Sequence, residues 1–221
     1  MITVKKNAIK YKDSDGQMQS AGVLCKVGVI GEDLFQYATS IRSFFSNVTF
    51  PERRKIEVNV PNANDFFHTF YYATNVSSIK ISGNNNGNSI NADGMFWGAS
   101  DVEVIDFTEL RCVLNNMGNM FRQCSKLKYV YGEIDCTNAT SLQSPFMNDT
   151  LLEHMRFKKG SIYRSIDFGQ QKNLTAETVQ SIIDGLATVE TAQTIAFHKD
   201  VKARLTDEQI ATITSKNWTL A

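Results

Sequence analysis

The sequence has no excess of charge of either sign and no long apolar run. Its 221 residues include 23 basic and 23 acidic side chains, whereas a protein that binds nucleic acid normally carries a basic excess. The apolar runs are only a few residues long, and a membrane-spanning helix needs about 20. We therefore expect no nucleic-acid partner and no membrane insertion. The first residues also lack the apolar segment of a secretory signal peptide, which predicts folding in a cytoplasm.

Cysteine is scarce, and its pattern does not indicate a metal site. Cys112, Cys124 and Cys136 lie 12 residues apart, but the sequence has no CxxC pair and no histidine near them. Cys25 stands alone. Because a reducing compartment keeps thiols free, we expect the three regularly spaced cysteines to be small buried side chains in a regular fold.

No group of residues has the pattern of a catalytic, cofactor or metal site. His68, His154 and His198 are far apart and lie near no consistent acid or nucleophile. Residues 13–16 (DSDG) begin like a calcium loop but lack its third acid and its final glutamate. A hairpin turn is therefore the expected structure there. We predict a non-enzymatic protein with no catalytic, cofactor-binding or metal-binding residues.

The middle of the chain contains an internal repeat of about 25 residues. Four phenylalanines lie 26, 25 and 25 residues apart, namely Phe70, Phe96, Phe121 and Phe146. Each is followed by an L-x-x-L-x-L apolar pattern, and the four copies begin at Val76, Val102, Leu127 and Leu152. The third copy ends on Gly132, which predicts a thin place in the core. A unit this short cannot bury its own apolar side chains, so it must stack on its neighbours.

The repeat predicts an α/β solenoid with a parallel β-ladder. Each L-x-x-L-x-L segment reads as a short strand, and equivalent strands of successive repeats should pair in parallel. The phenylalanine before each strand should fill the inside of the coil. The segment that returns to the next strand should place four more side chains inward, namely Leu110, Met117, Ile134 and Leu142.

Two segments carry a family resemblance. Residues 95–102 (MFWGASDV) and 120–127 (MFRQCSKL) resemble the M-F-x-x-C-S-x-L unit of BspA-like bacterial leucine-rich repeats. The resemblance covers about residues 66–170 and departs at Thr74, Ala99 and Asp149, where the family often has cysteine. It implies a leucine-rich-repeat solenoid of interaction modules, with 25–26-residue repeats and no catalytic residues.

The two ends of the chain predict different structures. Residues 1–60 read as an N-terminal arm and cap: a hairpin over residues 9–23, a helix over 33–45 and a strand over 55–60. Residues 61–170 form the predicted solenoid. Residues 171–221 read as a C-terminal cap, in which Thr175 and Thr206 begin two helices, Gln209 completes a capping box and residues 194–197 form a strand.

The ends also carry the second resemblance. Residues 205–220 are similar to the C-terminal ends of leucine-rich-repeat proteins encoded by phages and prophages of gut bacteria. Residues 1–26 resemble the openings of phage tail and baseplate proteins and suggest an attachment or oligomerisation arm. These resemblances imply a virion component of the tail or baseplate, assembled in the bacterial cytoplasm. Its implied partners are other virion proteins or a second copy of itself, and a protein or glycan of the host surface.

A bacterial cell-surface adhesin of the BspA-like class is the alternative function. It shares the repeats, but we expect such a protein to carry an export signal or an anchor. Neither is visible in the sequence.

The outward face of the predicted sheet is the candidate binding surface. Side chains alternate along a strand, so the position between the last two apolar residues faces away from the core, as does the position two residues earlier. This predicts one column of Lys80, Asp106, Tyr131 and Arg156 and a second of Ser78, Val104, Tyr129 and His154. An ordinary Lys80–Asp106 ion pair is the structural interpretation. The functional interpretation makes Tyr129 and Tyr131 the main contacts.

Trp97 is a further aromatic candidate. Together with Tyr129 and Tyr131 it offers a patch for a glycan, although aromatic residues at repeat positions are more often packing residues.

Overall fold

Strands predominate in the fold, which a computed structural model describes for residues 9–12, 18–21, 35–83 and 88–221. In chain order the elements are β1 (Ile9–Lys12), β2 (Met18–Ala21), β3 (Thr49–Asn59), β4 (Thr74–Ser82), β5 (Ile90–Asn91), β6 (Val104–Asp106), β7 (Leu114–Asn116), β8 (Tyr129–Ile134), β9 (His154–Phe157), β10 (Ile166–Phe168), α1 (Ala176–Gly185), β11 (Gln193–Phe197), α2 (Lys199–Lys202), α3 (Asp207–Ser215) and β12 (Trp218–Leu220). The fold is mixed α/β, with parallel pairing in every described sheet except the antiparallel pair of β1 and β2. The turn predicted at residues 13–16 lies outside the described residues.

The largest sheet has five parallel strands in the order β3-β4-β6-β8-β9. Ile56, Ile79, Ile105 and Val130 lie opposite one another across four neighbouring strands, and all four are buried. Because side chains alternate, this register places the apolar residues of every repeat on one face. The predicted parallel pairing of the apolar repeats is confirmed.

A stack of phenylalanine rings fills the core behind the sheet. The ring centroids of Phe70, Phe96, Phe121 and Phe146 lie 5.5, 5.7 and 5.6 Å apart in sequence order, with planes within 8° of parallel. The stack extends beyond the four residues found in the sequence, to Phe45 at one end and to Phe168 and Phe197 at the other. One continuous core therefore runs from Phe35 to the C-terminal region.

The helix predicted over residues 33–45 is wrong for its described part. Residues 35–47 form turns, although the apolar side chains at helical spacing, such as Ala38 and Ile41, are buried as expected. Ser43 and Asn47 both have φ of 55°, which interrupts a right-handed helix. The Ser43 N–H instead donates to the Phe67 carbonyl of the next turn, at 2.9 Å. Some backbone N–H groups of this segment therefore donate to the next turn segment, whereas others, such as that of Phe44, donate to the carbonyl three residues earlier.

Strand β8 contains a bulge at Gly132. Its φ is +93°, and the pairing with β9 shifts register between Tyr129 and Glu133. Beyond the bulge, Ile134 lies opposite Phe157 and is fully buried. The thin place predicted at Gly132 is therefore absent from this repeat, because Ile134 belongs to the strand rather than to the returning segment and fills the space.

The C-terminal region has the predicted helices and strand. The Thr175 side chain caps α1, and Thr206 with Gln209 forms the capping box of α3. Strands β10, β11 and β12 form a parallel three-stranded sheet. Trp218 lies in the last of these strands, where its indole Nε1 donates to the Ala187 carbonyl at 2.8 Å. Within the described ranges, no helix has the length and apolar character needed to cross a membrane.

Candidate binding surfaces

The predicted column of Ser78, Val104, Tyr129 and His154 is present on the sheet. Ser78 lies opposite Val104, Val104 opposite Tyr129 and Tyr129 opposite His154. All four side chains are partly exposed. The apolar pattern of the repeats therefore placed these residues correctly on the outward face.

The predicted column of Lys80, Asp106, Tyr131 and Arg156 is interrupted. Lys80, Asp106 and Tyr131 lie opposite one another as expected, but Arg156 lies opposite Glu133 rather than Tyr131. The bulge at Gly132 adds residues to β8 and shifts the pairing with β9. The predicted position of Arg156 was therefore wrong, although its side chain is exposed on β9.

The expected ion pair between Lys80 and Asp106 does not form. The Lys80 Nζ instead bonds Glu109 Oε1 at 2.6 Å, and this bond raises the pKa of Lys80. Asp106 Oδ1 accepts from the backbone N–H and the hydroxyl of Thr108, at 2.8 and 2.6 Å. Partial burial opposes ionisation of Asp106, but the bonds from Thr108 outweigh it and keep its pKa below the usual value.

Tyr129 and Tyr131 form the most prominent aromatic feature of this face. Their ring centroids lie 6.0 Å apart with planes 3° from parallel, and 41% of Tyr131 is exposed. His154 approaches the Tyr131 ring at 5.8 Å. The Tyr129 hydroxyl donates to Glu153 Oε2 at 3.1 Å, which raises the pKa of Tyr129 and fixes its ring. The arrangement offers rigid aromatic area, and the exposed residues Glu133 and Arg156 lie opposite each other on the same two strands.

Trp97 does not join these tyrosines. It lies in a turn segment, where its ring meets Tyr71 at 5.5 Å and His68 at 6.2 Å, both nearly edge-on. The predicted patch of Trp97, Tyr129 and Tyr131 is therefore two separate aromatic surfaces.

The surface around Trp97 was not predicted from the sequence. We call it the turn cluster: Phe67, His68, Tyr71, Tyr72 and Trp97. His68 lies between the rings of Phe67 and Tyr71, with centroids at 3.8 and 4.5 Å. Partial burial of the imidazole lowers its pKa, and nearby Arg42 adds to this effect while Asp93 opposes it. The aromatic run at residues 66–72 (FFHTFYY) was the sequence signal for this cluster.

The three cysteines are free thiols in the core, as predicted. Cys112, Cys124 and Cys136 are all buried. Burial raises the pKa of Cys112 to about 12 and raises the pKa of the other two thiols well above the usual value. Among the described residues, no group of three or more histidine, cysteine or acidic side chains is placed to hold a metal ion.

Asp149 is a buried acid at the position that Cys124 occupies in the preceding repeat. Its side chain is fully buried, and neither carboxyl oxygen has a hydrogen-bond partner of ordinary geometry among the described residues. Burial raises the pKa of Asp149 well above its usual value, and the nearby Leu151 N–H only partly opposes this. The neutral form of the carboxyl is therefore favoured.

The sheet face and the turn cluster are the exposed features suited to binding a partner. The sheet face and the turn cluster each combine aromatic rings with hydrogen-bonding and charged side chains, which is the composition of recognition surfaces. A comparison of this chain with family models, curated proteins and solved structures finds no match.

Proposed function

We propose that the chain is a leucine-rich-repeat solenoid of the BspA-like type, closed at its C-terminal end by α1 and α3. Three observations support this: the repeated parallel register of β4, β6 and β8, the stacked phenylalanine rings, and the recurring M-F-x-x-x-S segments. Each repeat buries its apolar side chains only against its neighbours and the shared core, as stacked repeat proteins do.

The proposed function is attachment without catalysis. The chain serves in a phage or prophage tail or baseplate and binds a protein or glycan of the host surface through its sheet face. The observation that carries the binding role is the Tyr129–Tyr131 pair, because tyrosine offers large contact area at a low cost in conformational entropy. The virion role rests on the similarity of residues 205–220 to the ends of phage and prophage proteins.

Fractionation of induced cultures tests the virion role. Phage particles purified from a strain that carries the gene should contain the chain in a fixed ratio to the major tail protein, measured by quantitative mass spectrometry. Recovery of the chain in the cell envelope and not in the particles would favour the cell-surface adhesin instead. Recovery only from the soluble cell contents would contradict both functions.

A further inference from the structure

Each turn segment contains two residues in the left-handed conformation, four positions apart. One series is Ser43, His68, Gly94, Asn119 and Ser144, and the other is Asn47, Tyr72, Gly98, Gln123 and Asn148. Glycine, asparagine and small polar residues tolerate this conformation, whereas bulky side chains are strained in it. The turn segment that contains His68 and Tyr72 is therefore exceptional, because it places the bulky Tyr72 ring at the second of these positions, whereas histidine adopts this backbone more readily.

The next turn segment along the chain has glycine at both of these positions, Gly94 and Gly98, and the rings of His68 and Tyr72 depend on it. A Cβ added to Gly98 would lie 2.8–2.9 Å from three ring atoms of Tyr72, and one added to Gly94 would lie 2.5 Å from Cδ2 of His68. Any other residue would displace these rings. The positions of the His68 and Tyr72 rings therefore depend on glycine at positions 94 and 98.

The rings are also fixed in orientation. The Tyr72 hydroxyl and the Trp97 indole N–H both donate to Gln123 Oε1, each at 2.9 Å. The Arg122 guanidinium lies 4.7 Å from the Trp97 ring centroid. Tyr72 nevertheless remains 41% exposed. Its ring thus rests on Gly98 and is held before any partner arrives, which lowers the entropic cost of binding.

We propose that Tyr72, with Trp97, Gln123 and Arg122, forms a binding platform for a neutral oligosaccharide. Backbone strain of this kind clusters at functional sites, and Tyr72 is the bulky residue that carries it here. An exposed ring held flat against backbone can stack on the apolar C–H face of a pyranose. The Gln123 amide and the Arg122 guanidinium carry N–H groups that suit sugar hydroxyls.

The charges around the platform favour a neutral ligand. Arg42 pairs with Asp65 at 3.5 Å, and the Arg122 guanidinium lies against the Trp97 ring. The carboxylate of Asp93 lies near the His68 imidazole, so carboxylates and cationic side chains occur together at this surface. The platform involves none of the sheet-face residues. A result that contradicts one of the two proposed surfaces therefore leaves the other unaffected.

The alternative is that the rings only cover the glycine backbone, and Tyr72→Asn separates the two explanations. Asparagine occupies the equivalent positions 47 and 148 with the same left-handed backbone. If Tyr72 serves binding, the variant should melt no lower than the parent and lose binding. If Tyr72 serves only as cover, the variant should melt lower.

The test uses the full chain on a printed array of neutral and acidic oligosaccharides, followed by calorimetry with the strongest soluble ligand. We expect neutral glycans to bind, Tyr72→Asn to weaken binding by roughly tenfold or more, and Tyr163→Asn, at an exposed tyrosine outside the cluster, to have no effect. Gln123→Asn keeps a residue that tolerates the left-handed backbone but is too short to hold both rings, and should weaken binding several-fold.

Three results would overturn the platform. One is the absence of binding to any arrayed glycan, and another is binding restricted to acidic glycans. The third is equal binding by the parent, Tyr72→Asn and Gln123→Asn. Binding of a host protein that depends on Tyr72 while no glycan binds would likewise assign the surface to a protein partner and contradict the carbohydrate proposal.

Discussion

Gly132 lies directly against the backbone of Phe107 in the neighbouring repeat. A Cβ at Gly132 would be 2.7 Å from the Phe107 carbonyl carbon and 2.8 Å from its oxygen. Gly132 also has φ of +93°. Because glycine has no side chain and tolerates this φ, it fits both the close contact and the bulge in β8. Beyond the bulge, Ile134 is buried and Arg156 is displaced from Tyr131.

Replacing Gly132 by alanine should therefore be strongly destabilising. We expect Gly132→Ala to lower the free energy of unfolding by about 2–4 kcal/mol, because the new methyl group meets rigid backbone. Gly160→Ala is the matched control, since Gly160 has φ of +65° but no atom within 4 Å of an added Cβ. It should cost about 1 kcal/mol, the strain of the left-handed backbone alone. Equal losses in urea unfolding would contradict the steric explanation.

Ile105 and its neighbour Val104 test the orientation of the sheet. Ile105 is fully buried and Val104 is partly exposed on the outward face of the same strand. Ile105→Asp should cost several kcal/mol because it buries an unpaired charge. Val104→Asp should cost about 1 kcal/mol or less. Thermal melting followed by circular dichroism measures both, and an unchanged melting temperature for Ile105→Asp would show that the assigned orientation is wrong.

The buried register was predictable, and the bulge was not. Burial of one face allows only one pairing of the apolar positions, so Ile79, Ile105 and Val130 could be aligned from sequence. Gly132 appeared as a missing apolar residue because the sequence does not reveal that Ile134 takes its place. The misplacement of Arg156 followed from this one glycine.

The structure of the turn segments was harder to predict from the sequence. Their apolar residues recur at nearly helical spacing, and only the left-handed positions distinguish them from a helix. Gly94 and Gly98 suggest such positions, but Tyr72 does not, because bulky residues rarely adopt that backbone. The turn cluster was therefore missed although its aromatic residues are obvious in the sequence.

Asp149 should make stability depend on pH. Its pKa is raised by burial in the folded state, so the folded chain holds this proton more tightly than the unfolded chain. The favourable contribution of Asp149 to the free energy of unfolding is complete below pH 3.8, the ordinary pKa of an aspartate. It is lost as the pH rises through the raised pKa of Asp149 in the folded state.

Asp149→Cys introduces the residue found at the equivalent position 124. It should remove the loss of stability that Asp149 causes as the pH rises. We expect it to raise the free energy of unfolding by about 1–3 kcal/mol at neutral pH and to have a smaller effect near pH 4. Glu190→Gln, at an exposed acid, is the control and should leave the pH profile unchanged. A variant less stable than the parent at neutral pH would show that the carboxylate is stabilised in the fold.

The core cysteines should resist alkylation in the native state. Because burial raises the pKa of Cys112, Cys124 and Cys136, the reactive thiolate is scarce and inaccessible. Mass spectrometry of the corresponding peptides after iodoacetamide treatment should show little label before unfolding and full label in denaturant. Rapid native labelling of all three, or a disulfide among them, would contradict this assignment.

Adsorption to host cells tests the attachment role of the sheet face most directly. The double variant Tyr131→Ala/Arg156→Ala removes two exposed side chains from this face, and Tyr163→Ala/Lys172→Ala removes two exposed side chains elsewhere. Binding of purified chain to cells of a susceptible strain should fall roughly tenfold or more for the first variant and remain unchanged for the second. Full adsorption by a folded Tyr131→Ala/Arg156→Ala chain would contradict binding through the sheet face.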